Sequence, residues 1–226
     1  YGINTTGLEI AEGKTFRWQA IYDPKNLNNR RTIDTQLNVF EDFSPKLSSS
    51  QRKSDYLFLG NIHPTLQLKV LEQMDSRPKT VGLDTMDLWI DNNREELTRT
   101  IGLVDILFMD DREVKLFTQE NNVFKAAKTI LTMGPRVIVV KKGEHGVLLF
   151  NESDIFAVPA FPITDVIDPT GAGDCFAGGF MGHLANTEDH SVVGLRKSAI
   201  AGTVMGPLAV EKFSTQKFIS ISNEDI

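Results

Sequence analysis

The chain has a single cysteine, Cys175, in 226 residues. One thiol excludes an internal disulfide and suits a reducing compartment, so a cytoplasmic location is expected. Beside its neighbours Cys175 reads as a small helix residue that needs no catalytic role. Long uninterrupted apolar runs are also missing, which argues against a membrane span or a membrane partner. Basic residues are in deficit, 24 Lys and Arg against 30 Asp and Glu, giving a formal net charge of −6. No Lys/Arg cluster stands out, which argues against a nucleic-acid partner, whose backbone is gripped by clustered cations. Nucleotide binding stays open, since backbone donors and a metal ion serve a triphosphate whatever the net charge. Histidines are few, at 63, 145, 183 and 190, and show no zinc-ligand spacing with Cys175. The sequence starts at Tyr1 rather than Met, so a signal peptide is not excluded, and residues 222–225 read as a helix start followed only by Ile226. Both ends are therefore expected to continue beyond this sequence.

What is present fits one large α/β domain: 41% hydrophobic and 24% charged residues, with length enough for a substantial core. Residues 14–22 alternate in part, Phe16, Trp18, Ala20 and Tyr22 against Arg17 and Gln19, and predict a half-exposed strand. Residues 23–31, rich in Asn and charge, predict a loop. From residue 55 short apolar runs at 56–59, 81–83, 104–109 and 137–140 alternate with helix-compatible stretches at 64–74, 94–101 and 123–133. That rhythm implies a mainly parallel sheet with helices on both faces. Residues 146–150 and 155–158 predict a hairpin, and 174–184 and 191–204 two further helices, the first with a Phe176, Phe180, Leu184 stripe. Gly178, Gly179 and Gly182 on it suggest close packing.

The most informative stretch is 168–179, Asp-Pro-Thr-Gly-Ala-Gly-Asp-Cys-Phe-Ala-Gly-Gly. Gly171, Ala172 and Gly173 leave backbone N–H groups free to face an anion, and the helix that follows adds the positive end of its dipole. Asp174 would repel a phosphate there, unless it takes a proton from a hydroxyl nucleophile while the loop stabilises the phosphoryl charge. The run 168–174, continued by Phe176 and Gly178-Gly179, resembles the C-terminal signature of the ribokinase-like (PfkB) family of sugar and nucleoside kinases. The resemblance implies a ribokinase-like α/β fold, a doubly wound and mainly parallel sheet flanked by helices with a small β lid. It also implies Asp174 as catalytic base, residues 171–174 as anion hole, and ATP and Mg2+ as cofactors.

Other segments are similar to the family more loosely, over roughly residues 55–215. Lys141, Gly143 and Gly146, after the 137–140 run, resemble its nucleotide loop, although the family often has Thr where Lys141 stands. Asp110 and Glu113 resemble its Asn-x-x-Glu motif for magnesium and phosphate, here read as a loop with Asp110 replacing Asn. Asp168 resembles a residue beside which the family often holds a monovalent cation such as K+; the residue's own chemistry equally suits a turn cap. Thr170 belongs to the signature, and the segment 199–214 resembles the adenine-side helix and cation loop, with Thr203 near an expected Asn and Ser214 near an expected Gly. The strand at 15–22 resembles the lid, which often makes a homodimer contact, or is a plain edge strand. Asn61 and Asp84, at two strand ends, are candidate substrate contacts without a diagnostic motif. Gly13-Lys14-Thr15 imitates the end of a P-loop, but Leu8 stands where that motif needs glycine. Two parts follow: 1–54, a partial lid and connecting segment without the family's N-terminal strands, and 55–226, the nucleotide-binding and catalytic unit. The expected activity is ATP-dependent phosphorylation of a hydroxyl on a sugar or sugar-like small molecule. A nucleoside kinase of the same fold, or a kinase-like binding or scaffold protein without turnover, are the alternatives.

Overall fold

The computed structural model of the chain describes residues 2–23 and 26–221. Two sheets are present among them. β1 (Arg17–Asp23) and β2 (Asn26–Gln36) form an antiparallel ribbon. Along β1, Trp18, Ala20 and Tyr22 are half-buried and the residues between them exposed, as their alternation predicts. The loop expected over 23–31 needs correction: residues 26–31 belong to β2, and only Pro24 and Lys25 of that loop lie outside the described residues. The polar sequence of β2 carries no alternation of its own; the ladder to β1 holds it extended. The helix start expected at 222–225 also lies outside the described residues.

The main sheet runs in order β3 (Tyr56–Leu59), β4 (Thr80–Asp84), β5 (Ile106–Asp110), β6 (Val137–Lys141), β7 (Val147–Asn151) and β8 (Ile155–Val158). The first four strands are parallel, and β7 and β8 complete the sheet as an antiparallel hairpin. Its helices are α1 (Pro64–Gln73), α2 (Asp87–Asn92), α3 (Arg94–Ile101), α4 (Asp111–Thr118), α5 (Val123–Leu131), α6 (Ala172–Thr187), α7 (Val192–Val210) and α8 (Gln216–Ile219).

Strand pleating divides the core between two layers. Leu107, Met109, Ile138 and Val140 point toward Leu97, Ile101, Val114 and Ile130 of α3, α4 and α5. Ile106, Phe108, Val137 and Val139 point the other way, onto Phe176, Phe180 and Leu184 of α6 and Leu195 and Ala199 of α7. Both faces of the central strands are covered, which is why their sequences read as continuous apolar runs.

α6 and α7 approach closely because a Cβ at Gly179 would lie 2.7 Å from Met205, and one at Gly202 2.7 Å from the Phe176 ring. The packing role expected of Gly178 and Gly182 is not found: a Cβ on either would meet nothing within 4 Å. α7 continues six residues past the expected end through Pro207, which has no N–H to return to Thr203. The freed Thr203 carbonyl accepts from Phe161 N–H at 3.3 Å instead.

The two ends of the parallel strands differ in chemistry. At the N-terminal end, buried Asp105 accepts from Val81 N–H at 2.9 Å and pairs with Arg77 and Arg136, a structural tie. The C-terminal ends carry Asn61, Asp84, Asp110 and Lys141, at the edge where open parallel sheets bind ligands.

Candidate active site

α6 opens without a side-chain cap. Gly171 takes φ +84°, a left-handed conformation that costs glycine nothing, and so turns the chain from the loop into the helix. Ala172 N–H donates to Pro169 O at 3.3 Å and Cys175 N–H to Gly171 O at 2.9 Å. Between them, Gly173 and Asp174 N–H groups have no backbone acceptor or cap among the described residues, and a Cβ at Gly171 would meet open space. These are the orphan donors of a helix start, next to the Asp174 carboxylate.

Asp174 is exposed on its outer side. Partial burial of its carboxyl, and then the charge of Asp84, raise its pKa above the usual carboxylate value, while Lys141 pulls it back. That direction favours a base, because proton affinity rises toward the working pH. The same burial, with the Asp174 charge, pushes the Cys175 thiol up and away from reactivity.

Lys141, the last residue of β6, reaches over the end of β5 to Asp84 on β4, with Nζ 2.9 Å from Asp84 Oδ1. Asp84 is almost wholly buried, and the Lys141 side chain is partly so, 17% exposed. A Cβ on Gly173 would lie 3.1 Å from Lys141 Nζ, so the ammonium rests against the signature loop. Sequence alone did not join Asp84 to Lys141, 57 positions apart.

The segment 110–113 is not the expected loop but a helix start. Asp110 Oδ1 accepts from Glu113 N–H at 2.7 Å, and Glu113 Oε2 accepts from Asp110 N–H at 2.7 Å, a reciprocal capping box on α4. The spacing Asp-x-x-Glu carries that signal. Burial raises the Glu113 carboxyl to about 8, with Lys141 opposing and Asp110 reinforcing the shift.

A stability prediction follows from that proton. Above its unfolded value of 4.5 the carboxyl ionises when the chain unfolds but stays protonated in the fold up to about pH 8. The unfolded state then binds fewer protons, so stability falls as pH rises through this window, by an amount on the order of a few kcal/mol. Glu113→Gln keeps an acceptor for Asp110 N–H and removes the titration. Urea midpoints at pH 5 and pH 8 in chelator should fall more for the wild type than for the variant.

The remaining expected residues have their own partners. Asp168 Oδ1 accepts from Thr170 N–H at 3.0 Å, the turn cap its chemistry suits. Thr170 Oγ1 lies 3.0 Å from Tyr22 Oη, so the β1–β2 ribbon touches the signature loop. Asn61 accepts from Trp89 Nε1 at 2.8 Å and donates to Met86 Sδ. Thr203 Oγ1 donates to Ile200 O within α7. Gly143 takes φ +56° and Gly146 φ +82° in the turn between β6 and β7, and Ser214 takes φ +57°, where glycine would be at ease. Gly13, with φ +128°, leads into β1 rather than a helix, as its failed P-loop spacing predicts. The structure therefore gathers Asp84, Asp110, Glu113, Lys141, Gly173 and Asp174 into one constellation, and engages Asn61, Asp168 and Thr203 elsewhere. A surface concavity lined by Leu68, Arg77, Pro78 and Leu103 lies at the opposite end of the strands.

The profile of the pfkB family carbohydrate kinases matches residues 1–221. The chain belongs to that family. The match begins well before residue 55, so the ribbon and connecting segment are part of the family's sequence, a wider span than the signature alone suggests. A cytidine kinase of Thermococcus kodakarensis is 29% identical over 187 residues, covering 79% of this chain and 64% of its own length. A nucleoside kinase of Methanothermobacter thermautotrophicus is 31% identical over 134 residues, 59% of this chain and 40% of its own length. The chain thus spans less than two thirds of these curated relatives. Among solved structures, the nucleoside kinase of Methanocaldococcus jannaschii superposes with TM-score 0.69 at 20% identity, over 91% of this chain and 64% of that one. Fructokinase of Vibrio cholerae, solved with fructose, ADP and calcium, gives TM-score 0.70 at 18% identity, over 89% and 70%. The fold is ribokinase-like: a mainly parallel sheet between helical layers, with a small two-stranded lid sheet.

The PfkB family implies ATP and magnesium. The bare start of α6 offers donors for phosphate oxygens. Among the described residues no three His, Cys, Asp or Glu side chains form a metal cage. Magnesium needs no such cage, since it commonly takes one or two carboxylates and completes its shell with water and substrate phosphates.

Proposed function

We propose that the chain is the catalytic part of an ATP-dependent kinase that phosphorylates a hydroxyl of a sugar or sugar-like small molecule. The observation that carries this reading is Asp174 at the third position of a glycine-opened helix, beside unpaired backbone donors and the Lys141 ammonium. Asp174 takes the proton of the acceptor hydroxyl as that oxygen bonds to the γ-phosphorus, and the bond from phosphorus to the ADP oxygen breaks. Within the 171–174 anion hole, the unpaired N–H groups of Gly173 and Asp174 bind the phosphoryl oxygens as charge gathers on them. Lys141, Gly143, Thr170 and Thr203 border the nucleotide, and Gly146 shapes the turn beside it through its close approach to β8. Asp110 and Glu113 would hold magnesium, with release of the Glu113 proton, and Asp168 would adjoin a monovalent cation. Magnesium bound with ATP supplies charge neutralisation for the phosphates. Asp84 and Asn61 are the substrate-side groups, and the lid ribbon is the surface for a homodimer. Residues 1–54 and 55–226 divide these tasks between lid and catalytic unit.

A nucleoside acceptor is the second reading, favoured by the cytidine and nucleoside kinases among the relatives. ADP release from Mg-ATP, measured across sugars and nucleosides with the complete gene product, tests both. Acceptor-dependent turnover supports the kinase and names its substrate class. Nucleotide binding without turnover on any acceptor would instead favour a kinase-like binding protein.

A further inference from the structure

We infer that Lys141 is a fixed cation of the phosphoryl-transfer centre, donating to an oxygen of the transferred group, and that Asp84 is its positioning residue. The inference rests on the kinase reading and assigns these two residues distinct tasks within it.

The geometry supplies the first argument. Lys141 stands at the C-terminal end of β6, in register with Asp110 of β5, and its side chain crosses that strand to meet Asp84. Nζ thereby rests beside Gly173, one residue before the proposed base. A lysine on that strand has alternatives, since an extended side chain could reach solvent. The Asp84 contact, nine-tenths buried on the carboxylate side, fixes it against the loop instead.

Hydrogen-bond capacity supplies the second. An ammonium has three donors, and among the described residues one hydrogen bond is made, to Asp84 Oδ1. The site thus retains donor capacity on a charged group in a place largely shielded from water, where charge-assisted bonds to phosphoryl oxygens are strong.

Charge balance supplies the third. The groups that act on Lys141 are Asp84, Glu113 and Asp110, and Asp174 is acted on by Asp84 and Lys141. All except the lysine are acids. A phosphoryl group entering this surround would be repelled by Asp84, Asp110 and Asp174 together; Lys141 offsets that repulsion at the point nearest the anion hole. Burial alone would lower the lysine pKa, but Asp84 and its acidic neighbours raise it above the ordinary value, so the ammonium stays charged.

A purely structural pair makes different predictions. If Lys141 only neutralised buried Asp84, removing both charges would restore whatever removing one had lost. The variants are Lys141→Met, Lys141→Arg, Asp84→Asn and the double Asp84→Asn/Lys141→Met, each first checked for a wild-type circular dichroism spectrum. Binding of ATP in chelator, by calorimetry, reads the lysine without turnover or magnesium; kcat and KM for ATP read it during transfer. Expected are a roughly tenfold weaker binding of metal-free ATP and a roughly 100-fold lower kcat for Lys141→Met, the loss seen when one charge-stabilising donor is removed. The double variant should stay as impaired as Lys141→Met, Lys141→Arg should recover part of the binding, and Asp84→Asn should lower kcat more than it changes ATP affinity.

Wild-type affinity for metal-free ATP in Lys141→Met, or recovery in the double variant, overturns the proposal. An enzyme active with an acceptor but indifferent to Lys141 would leave the kinase reading standing and remove this inference. A wild type without turnover on any acceptor would count against the kinase reading, while the metal-free ATP titration would still decide whether Lys141 holds phosphate.

Discussion

Asp174→Asn should lower kcat by roughly 10²–10⁴-fold, the range lost when a positioned general base is removed. Asparagine keeps the size of the side chain and its place at the third position of α6, so the unpaired N–H groups of Gly173 and residue 174 remain where they are. Nucleotide affinity should therefore stay within about threefold, under about 1 kcal/mol, and could rise slightly, because a negative charge beside the phosphates is gone. Calorimetric titration with ADP and steady-state ADP release separate the two effects. The wild type offers a second check. Partial burial and Asp84 lift the Asp174 carboxyl, so the acidic limb of kcat/KM should lie above the ordinary carboxylate range. The variant's residual rate should lack that limb. Unchanged turnover in the variant would mean that another group takes the proton, or that none needs to.

The parts of this site differ in how plainly they were written in the sequence. The 168–179 stretch was legible because backbone exposure at a helix start is a local property of consecutive residues, and glycine spacing reports it directly. The central strands were equally plain: covered on both faces, 137–140 could only be apolar throughout. β2 was missed because a half-exposed ribbon imposes no such demand, and its Asn- and Arg-rich sequence is held extended by its neighbour. α2 spans six residues with Ile90 as its buried member, too short for a period to register. α4 was hidden by its charged first turn, although Asp110 and Glu113 have the spacing of a capping box. The Lys141–Asp84 pair left no local signal at all. Two strands must first be laid on either side of β5 in one sheet before one side chain can cross to the other.

Gly146→Ala should destabilise the fold by about 2–4 kcal/mol without a specific loss of nucleotide affinity in the protein that remains folded. The residue lies in a segment that resembles a nucleotide loop, and a glycine there invites the explanation that a phosphate or ribose needs the space. The structure gives the space to the protein itself. A Cβ on Gly146 would fall 2.1 Å from Val158 O and 2.7 Å from both Ala160 N and Pro159 C. These are backbone atoms at the end of β8, the hairpin partner of β7, so relief requires the two strands to part. The backbone, at φ +82° and ψ −138°, is also one that side chains with a Cβ rarely adopt. For a chain of this size the melting midpoint should fall by roughly 5–15 °C. Gly178→Ala is the matched control. Its added methyl meets nothing within 4 Å inside α6, so the gain in helix propensity should stabilise by about 0.5–1 kcal/mol. If Gly146→Ala instead melted like the wild type and bound ATP poorly, the glycine would belong to the ligand and the close approach to β8 would be incidental.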